Sequence, residues 1–230
     1  MESVPSPHEN WKLVLLSGRI ERGHFEQFAS LLSAIHRGGA RSELCEEFRD
    51  RSFFELRRIE PLYLVTAERV PAARPFLDAL VDATRAQCVI LVHGDYSPKN
   101  ILVHEGRLVL LDHEMIHFGD PEFDVGFSMA HLLSKANHVK AAQLALAAAA
   151  QYFWEVYLEC GSLAEENRSV RHSLGCLLAG VAGRSPPEYL DERERICQQN
   201  AALVLMGNPP QAMSELIARF VACVQPSSSL

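Results

Sequence analysis

Apolar residues recur at helical spacing between Gly23 and His36, where Phe25, Phe28, Ala29, Leu31, Leu32 and Ile35 fall on one face before Arg37-Gly38-Gly39 closes the run. The spacing predicts a helix ending at His36. That histidine has two readings, a functional one and a favourable meeting with the helix dipole, and the dipole is the simpler account. Residues 42–60 are highly charged, with Leu44, Phe48, Phe53, Phe54, Leu56 and Ile59 as apolar positions, which fits one or two amphipathic helices with solvated charges. Pro61, Pro71 and Pro75 punctuate the next stretch, and Phe76 to Arg85 reads as a further helix.

The pattern then changes. Cys88 to Val92, Ile101 to Val103 and Leu108 to Leu111 are short apolar runs rich in β-branched residues, and a Glu105-Gly106-Arg107 turn joins the last two as a hairpin. After Asp124 helical spacing returns over Val125 to Ser134, Val139 to Glu159 and about Leu163 to Ala182. Gly183-Arg184-Ser185-Pro186-Pro187 breaks it, and two last helices, about Glu188 to Met206 and Pro210 to Val224, precede a polar tail at 225–230. Residues 1–10 read as a loose terminus or linker remnant. The expected class is α+β, predominantly helical, around one short hairpin.

Composition narrows the function classes. With 230 residues, 48% of them hydrophobic, the chain can build one large core or two small ones. A formal charge of -7 argues against nucleic acid as a partner, because that role needs a concentrated basic face. No apolar run approaches the roughly 20 residues that cross a bilayer, and the first residues lack a secretory pattern, so the expectation is cytoplasmic, with no membrane partner. The 6 cysteines are scattered singly and read as buried free thiols rather than as a zinc or redox centre.

Most of the suggestive polar chemistry lies between Leu91 and Asp124. His93, Asp95, Lys99 and Asn100 share one loop, and Asp112 comes after the hairpin. Oxygen ligands of this kind suit magnesium and a phosphate. Taken as turn and strand-end residues, Asp95, Asn100 and Asp112 would have to cluster by accident. A metal held by His93, His113 and His117 with Asp95 and Asp112 matches no zinc spacing. Nothing resembles a nucleophile elbow or a reactive cysteine.

The run VHGDYSPKNILV, with LLDHE and GDPEFDVG after it, resembles the aminoglycoside phosphotransferase and choline kinase-like family of small-molecule kinases, which share the protein-kinase-like fold. The resemblance extends from about Trp11 to the C-terminus and implies a kinase C-lobe over residues 11–224, with catalytic loop 93–100, metal-binding segment 112–124 and helical substrate region 125–224. It makes Asp95 the catalytic base, Asn100 and Asp112 the magnesium ligands, and ATP or another nucleoside triphosphate the donor for a small-molecule hydroxyl. Asp124 then supports the catalytic loop through its backbone, and His93 holds that loop together. Lys99 either meets the transferring phosphate or is simply solvated.

One departure limits the carry-over. No glycine-rich strand-turn-strand precedes Gly18, and the first ten residues leave no room for an N-lobe of about 100 residues. Three expectations remain: a truncated product, a partner chain that supplies the lobe, or a pseudokinase that binds without catalysis. The substrate is not written legibly either. Glu155, Glu159, Asp191 and Glu192 would make an acidic cleft for an amine if they lined it, and are otherwise exposed helix charges.

Overall fold

Helix N-caps and the close crossing of two central helices set the frame on which the polar loop is hung. The computed structural model describes residues 4–161 and 163–225. In chain order its elements are β1 (Glu9–Asn10), α1 (Trp11–Leu16), α2 (Arg22–Gly38), α3 (Glu43–Glu47) and α4 (Ser52–Phe54). Next come a π-wound segment (Glu55–Leu64), α5 (Val65–Arg69), α6 (Arg74–Ala86), β2 (Ile90–Val92), β3 (Ile101–His104) and β4 (Arg107–Leu110). The chain ends with β5 (His117–Gly119), α7 (Pro121–His138), α8 (Gln143–Glu159), α9 (Glu166–Ala182), α10 (Glu192–Gly207) and α11 (Met213–Val224).

The helix α7 begins four residues earlier than its apolar spacing suggests. Asp120 is the reason: its side chain accepts the Glu122 N–H at 3.1 Å, and Pro121 occupies the first turn, where its missing N–H costs nothing. Buried on nearly every side, α7 is the central helix of the α7–α11 bundle. It crosses α9 so closely that a Cβ on Gly126 would stand 2.4 Å from His172 Cβ and 2.7 Å from the Ser173 nitrogen. We expect Gly126→Ala to cost about 3 kcal/mol in a urea melt, at the upper end of ordinary overpacking. A loss below about 0.5 kcal/mol would mean that the two helices separate freely.

The strands form two small antiparallel sheets, in the orders β1-β3-β4 and β2-β5. Glu105 and Gly106 both have positive φ (48° and 73°), which is the turn geometry that matches strand twist in a two-residue hairpin, so Arg107 belongs to β4 and pairs with His104. The expected loose terminus needs correction. Glu9 and Asn10 pair with Val103 and Leu102, and the Asn10 side chain donates to the Lys99 carbonyl at 2.8 Å. Two residues are too short for any alternation to show. The tail lies outside the described residues from 226 on.

Pro61 does not interrupt the chain as expected. It sits inside the π-wound segment, which joins α4 to α5 as one helical run. A wider winding moves the preceding carbonyls away from the proline ring and needs no N–H from it. None of the cysteines among the described residues is in a disulfide, but only Cys176 is buried, while Cys88 and Cys223 are exposed, which corrects their reading as core thiols. Among the described residues, no helix is long and apolar enough to cross a membrane.

Candidate functional site

The strand β2 delivers the chain to His93, and a turn that only glycine tolerates comes next. Gly94 has φ +75°, and a Cβ there would stand 2.8 Å from the Met115 carbonyl oxygen. Beyond it the loop is fastened to the helices: Tyr96 stacks on Phe28 with ring centroids 4.4 Å apart and donates its hydroxyl to the Phe28 carbonyl, while Ser128 on α7 donates to the Tyr96 carbonyl. Asp95 therefore has a fixed backbone. Its own N–H donates to His93 Nδ1 at 3.2 Å, and burial pulls the His93 imidazole below its usual range, so the ring is a neutral acceptor within the loop.

Three side chains hold the Asp95 carboxylate, itself only 2% exposed. Asn100 Nδ2 donates to Oδ2 at 2.8 Å and to the Asp95 carbonyl at 3.0 Å. Lys99 Nζ lies 3.3 Å from Oδ2, and Arg58 Nη2 lies 2.5 Å from Oδ1. Lys99, with its side chain 54% exposed, is thus both paired and solvated. Arg58 was invisible in the sequence, where it belonged to a stretch of supposedly solvated charge. The π-wound segment turns it inward, and that segment is anchored in turn: the Tyr63 hydroxyl and His172 Nδ1 share a hydrogen bond of 2.9 Å, and His172 Nε2 faces Asp120 Oδ2 at 3.4 Å. Burial works against the Asp120 charge, but hydrogen bonds from His172 and Glu122 outweigh it and hold the carboxyl below its ordinary range.

The hairpin register places Asn100 opposite Leu111, one residue before Asp112. Ile101 pairs with Leu110, and one step outward the Leu111 N–H donates to the Asn100 carbonyl at 2.8 Å, so Asp112 sits directly at the open end. Asp112 is exposed and takes a left-handed backbone (φ 62°), a strained conformation that turns and functional sites tolerate in aspartate. Asn100 donates Nδ2 to Asp95, and its Oδ1 accepts no hydrogen bond among the described residues. One carboxylate and one amide oxygen, both without protein donors among the described residues, fit a magnesium ion that takes its remaining ligands from phosphates and water. No group of three or more His, Cys, Asp or Glu able to hold a metal exists among the described residues, and His117 is spent on the Met115 carbonyl and the Phe54 ring.

Asp124, fully buried, accepts the N–H groups of His93 at 2.7 Å and Gly94 at 2.8 Å. Burial raises its pKa, but hydrogen bonds from His36 and the loop overcome this and leave it below the usual carboxylate value. His36 does fall in the last turn of α2, where the helix dipole favours it, but it is also buried, with Nε2 3.3 Å from Asp124 Oδ2 and Nδ1 2.7 Å from the Tyr157 hydroxyl, and so ties α2, α7 and α8 at the loop, which the sequence did not show. No local signal distinguishes such a histidine.

Asp95 forms one wall of a cavity of about 430 Å³ between the π-wound segment, α7 and α9. Lys135 lines it, 1% exposed, with a single hydrogen bond to its own helix at the His131 carbonyl. Burial, with Lys12 nearby, brings its ammonium down to about 7. The unfolded chain holds this proton to about pH 10, so the buried charge weakens the ligand-free fold most below the folded value, and stability returns as the pH rises from about 7 to about 10. Lys135→Met should therefore raise the melting temperature more at about pH 6 than at about pH 9. Equal shifts at both values would show that the ammonium is not penalised.

The profile of the phosphotransferase enzyme family matches residues 9–163. The chain belongs to that family. The match covers the loop at residues 93–100, the hairpin and Asp124, whereas α9 to α11 lie beyond it. No curated protein matches the chain. Family membership establishes a phosphotransferase ancestry.

Proposed function

We propose that this chain binds a magnesium-bound nucleoside triphosphate, ATP foremost, and transfers its terminal phosphoryl group to a hydroxyl of a small molecule. One observation carries the reading: Asp95 lies buried at a cavity wall with Asn100 bonded to it, and the hairpin pairs the Asn100 carbonyl with Leu111, the residue before Asp112. Asn100 and Asp112 would hold the magnesium, which when bound neutralises phosphate charge. Asp95 orients the acceptor hydroxyl and takes its proton as the oxygen bonds to phosphorus and the bond to the nucleoside diphosphate breaks. Oδ2 already accepts from Asn100 and Lys99, whereas Oδ1 faces Arg58 alone and keeps a lone pair for that hydroxyl. Lys99 and Arg58 stand where the transferring phosphoryl passes Asp95. The lobe that closes over the nucleotide would come from a partner chain or another segment, in the cytoplasm where magnesium and ATP are at hand.

Phosphorus NMR tests this. With ATP, magnesium and a mixture of small hydroxyl compounds, a new phosphomonoester resonance should grow with release of ADP; its absence across sugars, polyols and amino alcohols would sink the reading. A second reading, ligand binding without catalysis, is favoured by the Arg58 ion pair that occupies Asp95 Oδ1. Acceptor and nucleotide binding with no phosphomonoester would support it.

A further inference from the structure

The chain as a whole carries a formal charge of -7, yet the cavity beside Asp95 is strongly basic. Lys12, Arg57, Arg58, Lys99, Lys135 and Arg184 line it, and Asp95 is the one carboxylate among its described lining residues. Glu155, Glu159, Asp191 and Glu192 do not line it: the first two are exposed on α8, and Asp191 and Glu192 border a separate, open depression. All four are exposed, as solvated helix charges are, and they form no acidic cleft for an amine at this cavity. Helical spacing told which residues share an element but not which face meets the cavity.

Within this lining the charges are unequal. Arg58 and Lys99 are matched by Asp95, and Arg184 by Glu60. Lys12 and Lys135 have no carboxylate partner among the described residues, and both ammonium groups lie 5.7 Å from the centre of the Tyr189 ring. A buried ammonium without a counter-ion is costly and is retained where a ligand completes it. Next to these cations stands Gln198, 1% exposed, whose Nε2 donates to the Leu177 carbonyl while its Oε1 accepts nothing among the described residues. Ser134 accepts from the Tyr189 hydroxyl and keeps its own proton to donate. These groups suit neutral hydroxyls beside an anion.

We propose that the acceptor at this site is a small polyhydroxyl anion, whose carboxylate or phosphate rests against Lys135 and Lys12 while a hydroxyl reaches Asp95. The inference rests on the phosphotransfer reading and names its substrate class. A cavity of about 430 Å³ is in the range of small-molecule sites and holds a sugar acid with room for water. An ammonium substrate would meet like charge with no carboxylate to receive it except the one needed for chemistry.

Binding without nucleotide separates this inference from the reading beneath it. Calorimetry of the whole chain should detect gluconate or glucose 6-phosphate, the two anion sources, at least tenfold more tightly than glucose, and glucosamine least. Lys135→Met should weaken the anion at least tenfold, Lys12→Gln should weaken it at a half-buried position whose loss leaves the core intact, and Asp95→Asn should leave it equal or tighter. Tighter binding of glucosamine, no binding of either anion, or displacement of both by magnesium-ATP, which would make the basic lining a nucleotide phosphate channel, overturns the proposal. Phosphoryl transfer to a cationic acceptor would sink it and leave the kinase reading standing, whereas anion binding with no transfer to any acceptor would do the reverse.

Discussion

Asp95→Asn is expected to lower phosphoryl transfer about 1000-fold, within the range for losing a general base, while magnesium-nucleotide affinity changes less than about threefold. The substitution is isosteric. Its side-chain oxygen can still accept from Asn100 Nδ2, so the loop keeps its shape, but an amide cannot take the proton from an acceptor hydroxyl. Lys99 is half exposed and returns to solvent, while Arg58, only 14% exposed, is left without its carboxylate at the cavity wall. The loss should therefore fall on kcat rather than on nucleotide binding. A variant with a tenth or more of the parent rate would show that Asp95 only orients the acceptor.

The second large effect is on stability. Asp124→Ala strips the acceptor from two loop N–H groups and from His36 in a wholly buried setting. Breaking one side of such an arrangement costs about 3–5 kcal/mol. Because the Asp124 pKa is depressed in the fold, its contribution is complete above the unfolded value near 3.9 and is lost as the pH falls through the folded one. The gap between parent and variant should thus be full at neutral pH and narrow below about pH 4. Urea melts at both values check this, and a loss under about 1 kcal/mol at neutral pH would show that the loop is held by Tyr96 and Ser128 instead.

Much of this site could be read before folding because its residues are close in sequence and their spacing survives as geometry. The five-residue step from Asp95 to Asn100 becomes one turn and one side-chain hydrogen bond, and the hairpin turn at Glu105-Gly106 sets the register that places Asp112. The amphipathic α2 and α6 declare themselves by spacing, each with one apolar face. What stayed illegible depends on contacts between distant segments. Arg58 resembled any surface arginine until the winding around Pro61 turned it toward Asp95, and His36 resembled a dipole partner until α7 brought Asp124 beneath it. β5 has three residues and reads as loop because its partner β2 alone gives it a ladder. The basic cavity was hidden for the same reason: Lys12, Lys99, Lys135 and Arg184 come from four separate parts of the chain.

At the centre stands the claim that Asn100 and Asp112 hold a magnesium-bound triphosphate beside Asp95. Titration calorimetry with ATP, with and without magnesium, on the parent chain and on Asp112→Ala measures it most directly. Binding should require magnesium and disappear in the variant, with the fold unchanged because the Asp112 side chain is exposed and makes no ion pair among the described residues. Nucleotide binding that is indifferent to magnesium or to Asp112, or no binding at saturating magnesium, would contradict it.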